Sequence, residues 1–276
     1  MNPVSRLLIR GVTVVWFSMA WAAFAQESNQ ISYTMKAKAI ISIMNSCGPI
    51  TVKPSGSRQV IVKYRSDSKF VTFENERHGK RVVLRCNSSN LGSQLAEYTV
   101  LVPRDSLLIL YTGGALHVEG LSGDVILKTW GSSVIVNDIK DAHVHARTVD
   151  GSVTVTGVQN SHLDIHSING AINLSRVSGS WIEAESGSGQ IAYNGDPGTD
   201  GEYQLTTHSG DLELSIPASS LVDVKAMSFR ERSNEEGVTT KTPPESHRTL
   251  FLQRESVTVP RFVLRSFAGK IRVKRP

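Results

Sequence analysis

Beyond residue 25 the sequence has no apolar run long enough to cross a bilayer, which takes about 20 residues, so the body of the chain is expected to carry no transmembrane anchor. Cysteine is scarce. Cys47 and Cys86 are the only two, and two thiols this far apart exclude a cysteine-only metal site. No strong charge of one sign is present either. The net charge is +5, and the first 25 residues hold two Arg and no acid, which leaves +3 for the rest. A nucleic-acid binder would show a dense basic cluster instead. There is no Gly-x-Ser-x-Gly elbow, no His-Glu-x-x-His pair and no phosphate loop, so the common hydrolase, zinc-protease and nucleotide signatures are missing. Calcium-binding nonapeptide repeats are absent too, because Asp is not regularly placed.

What is present begins with a leader. Arg6 and Arg10 form a short basic start, an apolar stretch runs from Gly11 to Ala25, and Ala23-Phe24-Ala25 gives a small-x-small cleavage pattern before Gln26. This predicts a secretory signal peptide over residues 1–25. Gln26, not Cys, stands directly after the cleavage point, which argues against a lipid anchor. The chain is therefore expected to be exported to the periplasm, the cell surface or the medium. An oxidising compartment permits a Cys47–Cys86 disulfide, which would close a loop worth about 4 kcal/mol. Two unpaired cysteines are the alternative.

Internal repetition is the strongest signal. Four segments share one grammar: HVHARTVDGSVTV from His143, HLDIHSINGAINL from His162, WIEAESGSGQIAY from Trp181 and EYQLTTHSGDLEL from Glu202. Each reads as a short alternating strand, a small polar turn with a Gly, and a second alternating strand. The marker glycines Gly151, Gly170, Gly189 and Gly210 are spaced 19, 19 and 21 residues apart. Residues seven and five before each marker, and two and four after it, are apolar or aromatic; in the second unit they are Leu163, Ile165, Ile172 and Leu174. Alternation places them on one face of each strand. The pattern extends to Ser132, with Val125, Leu127, Val134 and Val136 inward, and to Gly114, with Leu107, Ile109, Leu116 and Val118 inward. Gly48 and Gly269 mark further units at the two ends, which gives about eight. A sharp turn with positive φ is the expected reason for Gly at the marker.

A single unit cannot bury both its strands, whereas stacked coils would join them into one continuous core. The reading is an all-β, β-helix-like solenoid of about 19-residue coils, with a β-sandwich as the runner-up. Residues 26–276 form one solenoid domain in this reading. Residues 56–104 interrupt the repeat as a strand-rich cap or insertion over the first coil. Residues 227–248, polar and charged, read as a mobile loop.

The recurring small-Gly-x-apolar-x-apolar pattern, best from Gly114 to Leu214, resembles the bacterial adhesin-like family of exported β-strand-repeat domains, a domain of unknown function. The resemblance covers roughly residues 40–275. It implies a right-handed β-solenoid at the cell envelope with a role in adhesion, and it brings no catalytic motif.

Stacking would align outward residues into columns about 5 Å apart. One such cluster holds His145, Asp164, His166 and Glu183, a set of imidazoles and carboxylates that would suit zinc or a similar ion. The bland reading is a solvated face with cross-coil ion pairs. His143, His162 and Trp181 form a second column and are candidate binding residues. The expected function is a non-catalytic, adhesin-like binding module of the envelope, secreted or surface-held. Its expected partner is a glycan, a cell-wall polymer or an envelope protein, and no nucleic acid and no cofactor are expected. A structural or signalling module of the envelope is the alternative, and a carbohydrate-active enzyme comes third.

Overall fold

A computed structural model describes residues 29–46, 48–66, 68, 71–88, 96–228 and 259–276. The expected signal peptide, Cys47 and residues 229–248 of the expected loop lie outside the described residues. No helix among the described residues is long and apolar enough to cross a membrane.

The strands in chain order begin with β1 (Asn29–Thr34), β2 (Ile40–Asn45), β3 (Ile50–Pro54), β4 (Gln59–Ser66), β5 (Val71–His78), β6 (Arg81–Ser88) and β7 (Ala96–Val102). The regular part follows as β8 (Leu107–Thr112), β9 (Leu116–Glu119), β10 (Val125–Thr129), β11 (Val134–Asn137), β12 (His143–Thr148), β13 (Val153–Thr156), β14 (His162–Ser167) and β15 (Ile172–Ser175). It ends with β16 (Trp181–Ser186), β17 (Ile191–Asn194), β18 (Glu202–Thr207), β19 (Leu212–Ser215), β20 (Asp223–Ser228), β21 (Arg261–Ser266) and β22 (Ile271–Lys274).

These strands form two sheets, and each coil gives one strand to each. The first sheet runs β1-β4-β7-β3-β9-β11-β13-β15-β17-β19-β22, and the second β20-β21-β18-β16-β14-β12-β10-β8-β2-β6-β5. From β8 to β19 every pairing is parallel and in register, as in Val144↔Leu163 and Leu163↔Ile182. The chain is a β-solenoid. Antiparallel pairs occur at the N-terminal end, where β4 meets β1 and β7, and β5 meets β6.

Both ends of the stack are out of chain order. Strands β2 and β3 lie between the β6–β7 coil and the β8–β9 coil. At the other end β21 lies between β18 and β20. So residues 56–104 add a coil of their own, β6–β7, beyond the first coil in sequence.

The inward columns are fully buried, including Val144, Ala146, Leu163, Ile165, Ile172 and Leu174. A third buried column, Leu121, Ile139, Val158 and Val177, closes the interior between the end of one coil and the start of the next. Toward the C-terminal end the core widens with aromatic rings. Tyr203 stacks on Phe262 at 4.4 Å, and Tyr193 meets both edge-on. Their hydroxyls donate to backbone oxygens of Pro197 and Val177 at 2.8 and 2.7 Å. Burial pushes the Tyr203 hydroxyl up to about 12, so it stays a donor at neutral pH.

One coil departs from the expected register. In β8 the buried residues are Leu108 and Leu110, not Leu107 and Ile109. The corner explains it. Gly114 N–H bonds to Thr112, two residues back, whereas Gly151, Gly170, Gly189, Gly210 and Gly269 bond to a hydroxyl three residues back. Counting backward from a marker therefore lands one residue out in this coil.

The reason for the markers also differs from expectation. None of these glycines has positive φ; that conformation falls on the opposite corner, at Gly120, Asp138, Gly157, Arg176 and Gly195. The markers are glycines because stacked backbones meet there. A Cβ on Gly151 would stand 1.7 Å from the Ser132 carbonyl oxygen, and one on Gly170 would stand 1.9 Å from that of Gly151. Beside them runs a buried row of hydroxyls: Thr129, Thr148, Ser167, Ser186, Thr207 and Ser266. Each lies 2.9–3.5 Å from a carbonyl of the preceding coil and donates to it. From Thr148 onward each also accepts its own coil's marker N–H at 2.8–3.1 Å. One hydroxyl thus satisfies two buried backbone groups.

Gly170→Ala is expected to destabilise the fold by about 1–3 kcal/mol through overpacking. Gly131→Ala, where nothing lies within 4 Å, should stay within about 0.5 kcal/mol of wild type. Urea midpoints of the two variants check this, and equal effects would refute the close-approach account.

Candidate functional site

The outer face of the second sheet carries the side chains singled out from the sequence. Because the strands pair in register, His143, His162, Trp181 and Glu202 fall in one row. His143 and His162 meet edge to face at 5.4 Å, and His162 lies 6.3 Å from the Trp181 ring. Partial burial, then the neighbouring His143 and His145, lower the His162 pKa, with Asp164 and Glu183 opposing. His143, His162 and Trp181 make a contiguous aromatic strip that favours a neutral imidazole at its centre.

The next row holds His145, Asp164 and Glu183. His145 Nδ1 bonds to Asp164 Oδ2 at 2.9 Å, and His166 Nε2 lies 2.5 Å from Oδ1 of the same carboxylate. His166 Nδ1 faces Glu185 at 3.1 Å, and Arg147 reaches Asp164 at 3.8 Å. Burial acts to raise the Asp164 pKa. The His145 hydrogen bond and the charges of His166, His145 and Arg147 outweigh it, and the carboxyl titrates below its ordinary value. The structure thus brings His145, Asp164 and His166 together, with Glu183 opposite Asp164 on the next coil. Among the described residues no three His, Cys, Asp or Glu side chains converge as a metal site would require. The expected Cys47–Cys86 pair lies partly outside the described residues; Cys86 is buried in β6, beside Asn45.

A larger feature lies at the edge of this face. A groove of about 840 Å³ runs across seven adjacent strands, from β6 to β16. At the usual strand spacing this is roughly 30 Å. One wall is the last outward column of the sheet: Arg85, Met44, Tyr111, Lys128, Arg147 and His166, ending at Glu185. The other wall is the corner itself, with Trp130, Val149 and Ile168. Trp130 is 76% exposed and Ile168 57%. The floor is the hydroxyl row, whose donors are already committed to backbone oxygens. The groove therefore offers one cationic wall, one apolar and aromatic wall, and a saturated floor. Lys128 Nζ sits 5.3 Å from the centre of the Tyr111 ring, a cation–π contact.

Reading outward columns from the sequence found His166 but not the rest of this groove: Arg147, Glu185, Trp130, Tyr111 and Lys128. Trp130 occupies the turn just after a buried hydroxyl, and in that coil Ser132 stands at the marker. The usable signal was the residue following each inward Ser or Thr: Trp130, Val149 and Ile168 in three successive coils.

The architecture and this surface define a two-sheet β-solenoid with an open groove along one corner. Residues 39–246 match the model of the Toastrack family, DUF4097, and the chain belongs to it, as the resemblance in its repeats implied. The chain is also similar to a structure from Clostridium sporogenes ATCC 15579, provisionally named a cell adhesion protein. That match is 10% identical over 91% of this chain and 100% of the other, with a TM-score of 0.28. A provisionally named adhesin from Bacteroides fragilis NCTC 9343 is 11% identical over 91% and 98% of the two chains, with a TM-score of 0.48. No curated protein matches the sequence.

Because the Asp164 pKa is lowered on folding, its contribution to stability is full above the unfolded carboxyl pKa and is lost as pH falls through the folded value. Asp164→Asn should cost about 1–3 kcal/mol at neutral pH. The gap to wild type should close as pH drops through the carboxylate range, as denaturant midpoints along a pH series would show. A gap that persists at low pH would mean the loss is one of packing.

Proposed function

We propose that this protein is an exported, non-catalytic binding module of the cell envelope, adhesin-like in the sense that it holds an extended partner along its corner groove. The observation that carries this reading is the groove itself. An exposed tryptophan, an exposed isoleucine and a row of cations face each other across a rigid trough built on seven paired strands. Large exposed apolar side chains beside convergent polar groups mark ligand sites in soluble proteins. The leader at residues 1–25 supports export, and the rigid scaffold supports recognition without moving parts. The His145–Asp164–His166 cluster serves this reading by fixing His166 at one end of the groove.

The test is binding of the purified protein to isolated cell envelopes. Wild type should bind saturably. Trp130→Ala should bind about tenfold more weakly, as a central aromatic anchor does, with an unchanged melting temperature because the side chain is exposed. Equal binding by the two proteins would move the function off the groove. Protease added to intact cells, compared with permeabilised cells, assigns the protein to the surface or to the periplasm.

A further inference from the structure

We infer that the occupant of the groove is a linear acidic polysaccharide, its pyranose rings lying on the Trp130–Ile168 wall and its carboxylates facing Lys128 and Arg147. This rests on the groove being the binding surface and deepens that reading by naming the class of ligand.

Four observations carry it. First, the groove is straight and repeats with the coils, because its walls are columns of in-register parallel strands. The step is about 4.8 Å, close to the advance of one pyranose unit along an extended chain, so successive rings meet successive coils. Second, the two walls differ in chemistry. Trp130 and Ile168 give an apolar surface on which the C–H face of a sugar packs, while Lys128 and Arg147, in one column with Tyr111, supply positive charge on the opposite side. Arg147 lies 3.8 Å from Asp164 and is 58% exposed, so it keeps donors for a ligand. Lys128 has no carboxylate within ion-pair distance among the described residues. Third, the floor hydroxyls donate to backbone carbonyls, so recognition falls to the walls. Fourth, each of the seven strands beneath the groove is paired on both sides, which leaves no edge for an added polypeptide strand.

The same features separate this ligand from other polyanions. A glycerol-phosphate chain has no ring faces for the Trp130–Ile168 wall. A nucleic acid carries a phosphate at every unit and is held by many cations, whereas this groove has Arg85, Lys128, Arg147 and His166 and closes on Glu185. Arg85 is engaged by Glu76 at 3.7 Å. That density suits a chain with one carboxylate per ring.

The experiment is calorimetric titration of the purified protein with oligogalacturonates of increasing length, and with the same oligomers methyl-esterified to remove their charge. Affinity should rise with length until the chain spans the groove and should weaken with added salt. Lys128→Ala and Arg147→Ala should each lower it about tenfold, a loss typical of a buried charge contact. Both side chains are exposed, and unchanged melting temperatures would show that the variants fold. The esterified oligomers should bind at least about tenfold more weakly than the acids. Trp130 fluorescence, read in a Trp181→Phe background, should shift on binding. If esterified and acidic oligomers bind alike and Trp130→Ala weakens both, the groove stands and the acidic class is overturned. If single-stranded DNA binds as tightly as the oligogalacturonate and loses affinity in the same variants, the ligand is a nucleic acid and the inference fails. If no acidic oligomer binds, the inference also fails, and envelope binding by Trp130→Ala judges the groove separately.

Discussion

Everything regular in this structure depends on how closely one backbone coil lies on the next at the marker corner. The carbonyl oxygen of Gly151 sits where a Cβ of Gly170 would be, and the Ser167 hydroxyl ties the two coils by accepting from one and donating toward the other. Neither device works alone. A glycine without the hydroxyl would leave a buried N–H and a buried carbonyl unsatisfied, and a hydroxyl without the glycine could not approach. Together they set the register of each coil against the last. A slip of one residue would turn every inward side chain outward and break the corner as well. The straight columns on the outer face, and the straight groove between them, are by-products of that fixed register.

The outer face shows how stacking converts sequence repeats into local electrostatics. His145, Asp164 and His166 are separated in sequence by up to 21 residues, yet they form one hydrogen-bonded and ion-paired cluster because the two adjacent strands β12 and β14 share a register. The carboxylate at its centre is only 20% exposed and is held ionised by partners on both sides. A second carboxylate, Glu185, then orients His166 from the far side. Side chains arranged this way point at one another more than at solvent, which is how a polar face on a rigid sheet keeps its shape.

Much of this was legible in the sequence. Alternation and the spacing of Gly151, Gly170 and Gly189 gave the solenoid and the inward residues of the central coils, since burial on a two-residue period is a strong local signal. Three things were not legible. The Gly114 coil has a corner one residue shorter, and only the hydrogen bond to Thr112 shows it. The third buried column, Leu121, Ile139, Val158 and Val177, lies in turns that have no period of two. The groove was hidden because its aromatic wall belongs to the corner, where the chain direction changes and alternation says nothing about which way Trp130 points. The hydroxyl row at Thr148, Ser167 and Ser186 was visible as a constant Ser or Thr three residues before each marker. It went unread because a polar residue among apolar ones looks like a surface position until its two backbone partners are known.

The misplaced coils at the two ends carry a consequence for how such a rod can change over time. With β2–β3 enclosed by β6–β7 and β8–β9, the β2–β3 coil is an interior one, and in the β21–β22 coil β21 is enclosed by β18 and β20 while β22 is the edge strand of its sheet. The β2–β3 coil cannot shed or gain a neighbour without unthreading the excursion that crosses over it, and β21 is covered in the same way. Length is then most simply varied in the middle, by gain or loss of whole units such as the one between Asp141 and Asn160. Each such event would leave both ends as they are and alter the groove by a single step, so that the reach of the binding surface is counted in coils and inherited in coils.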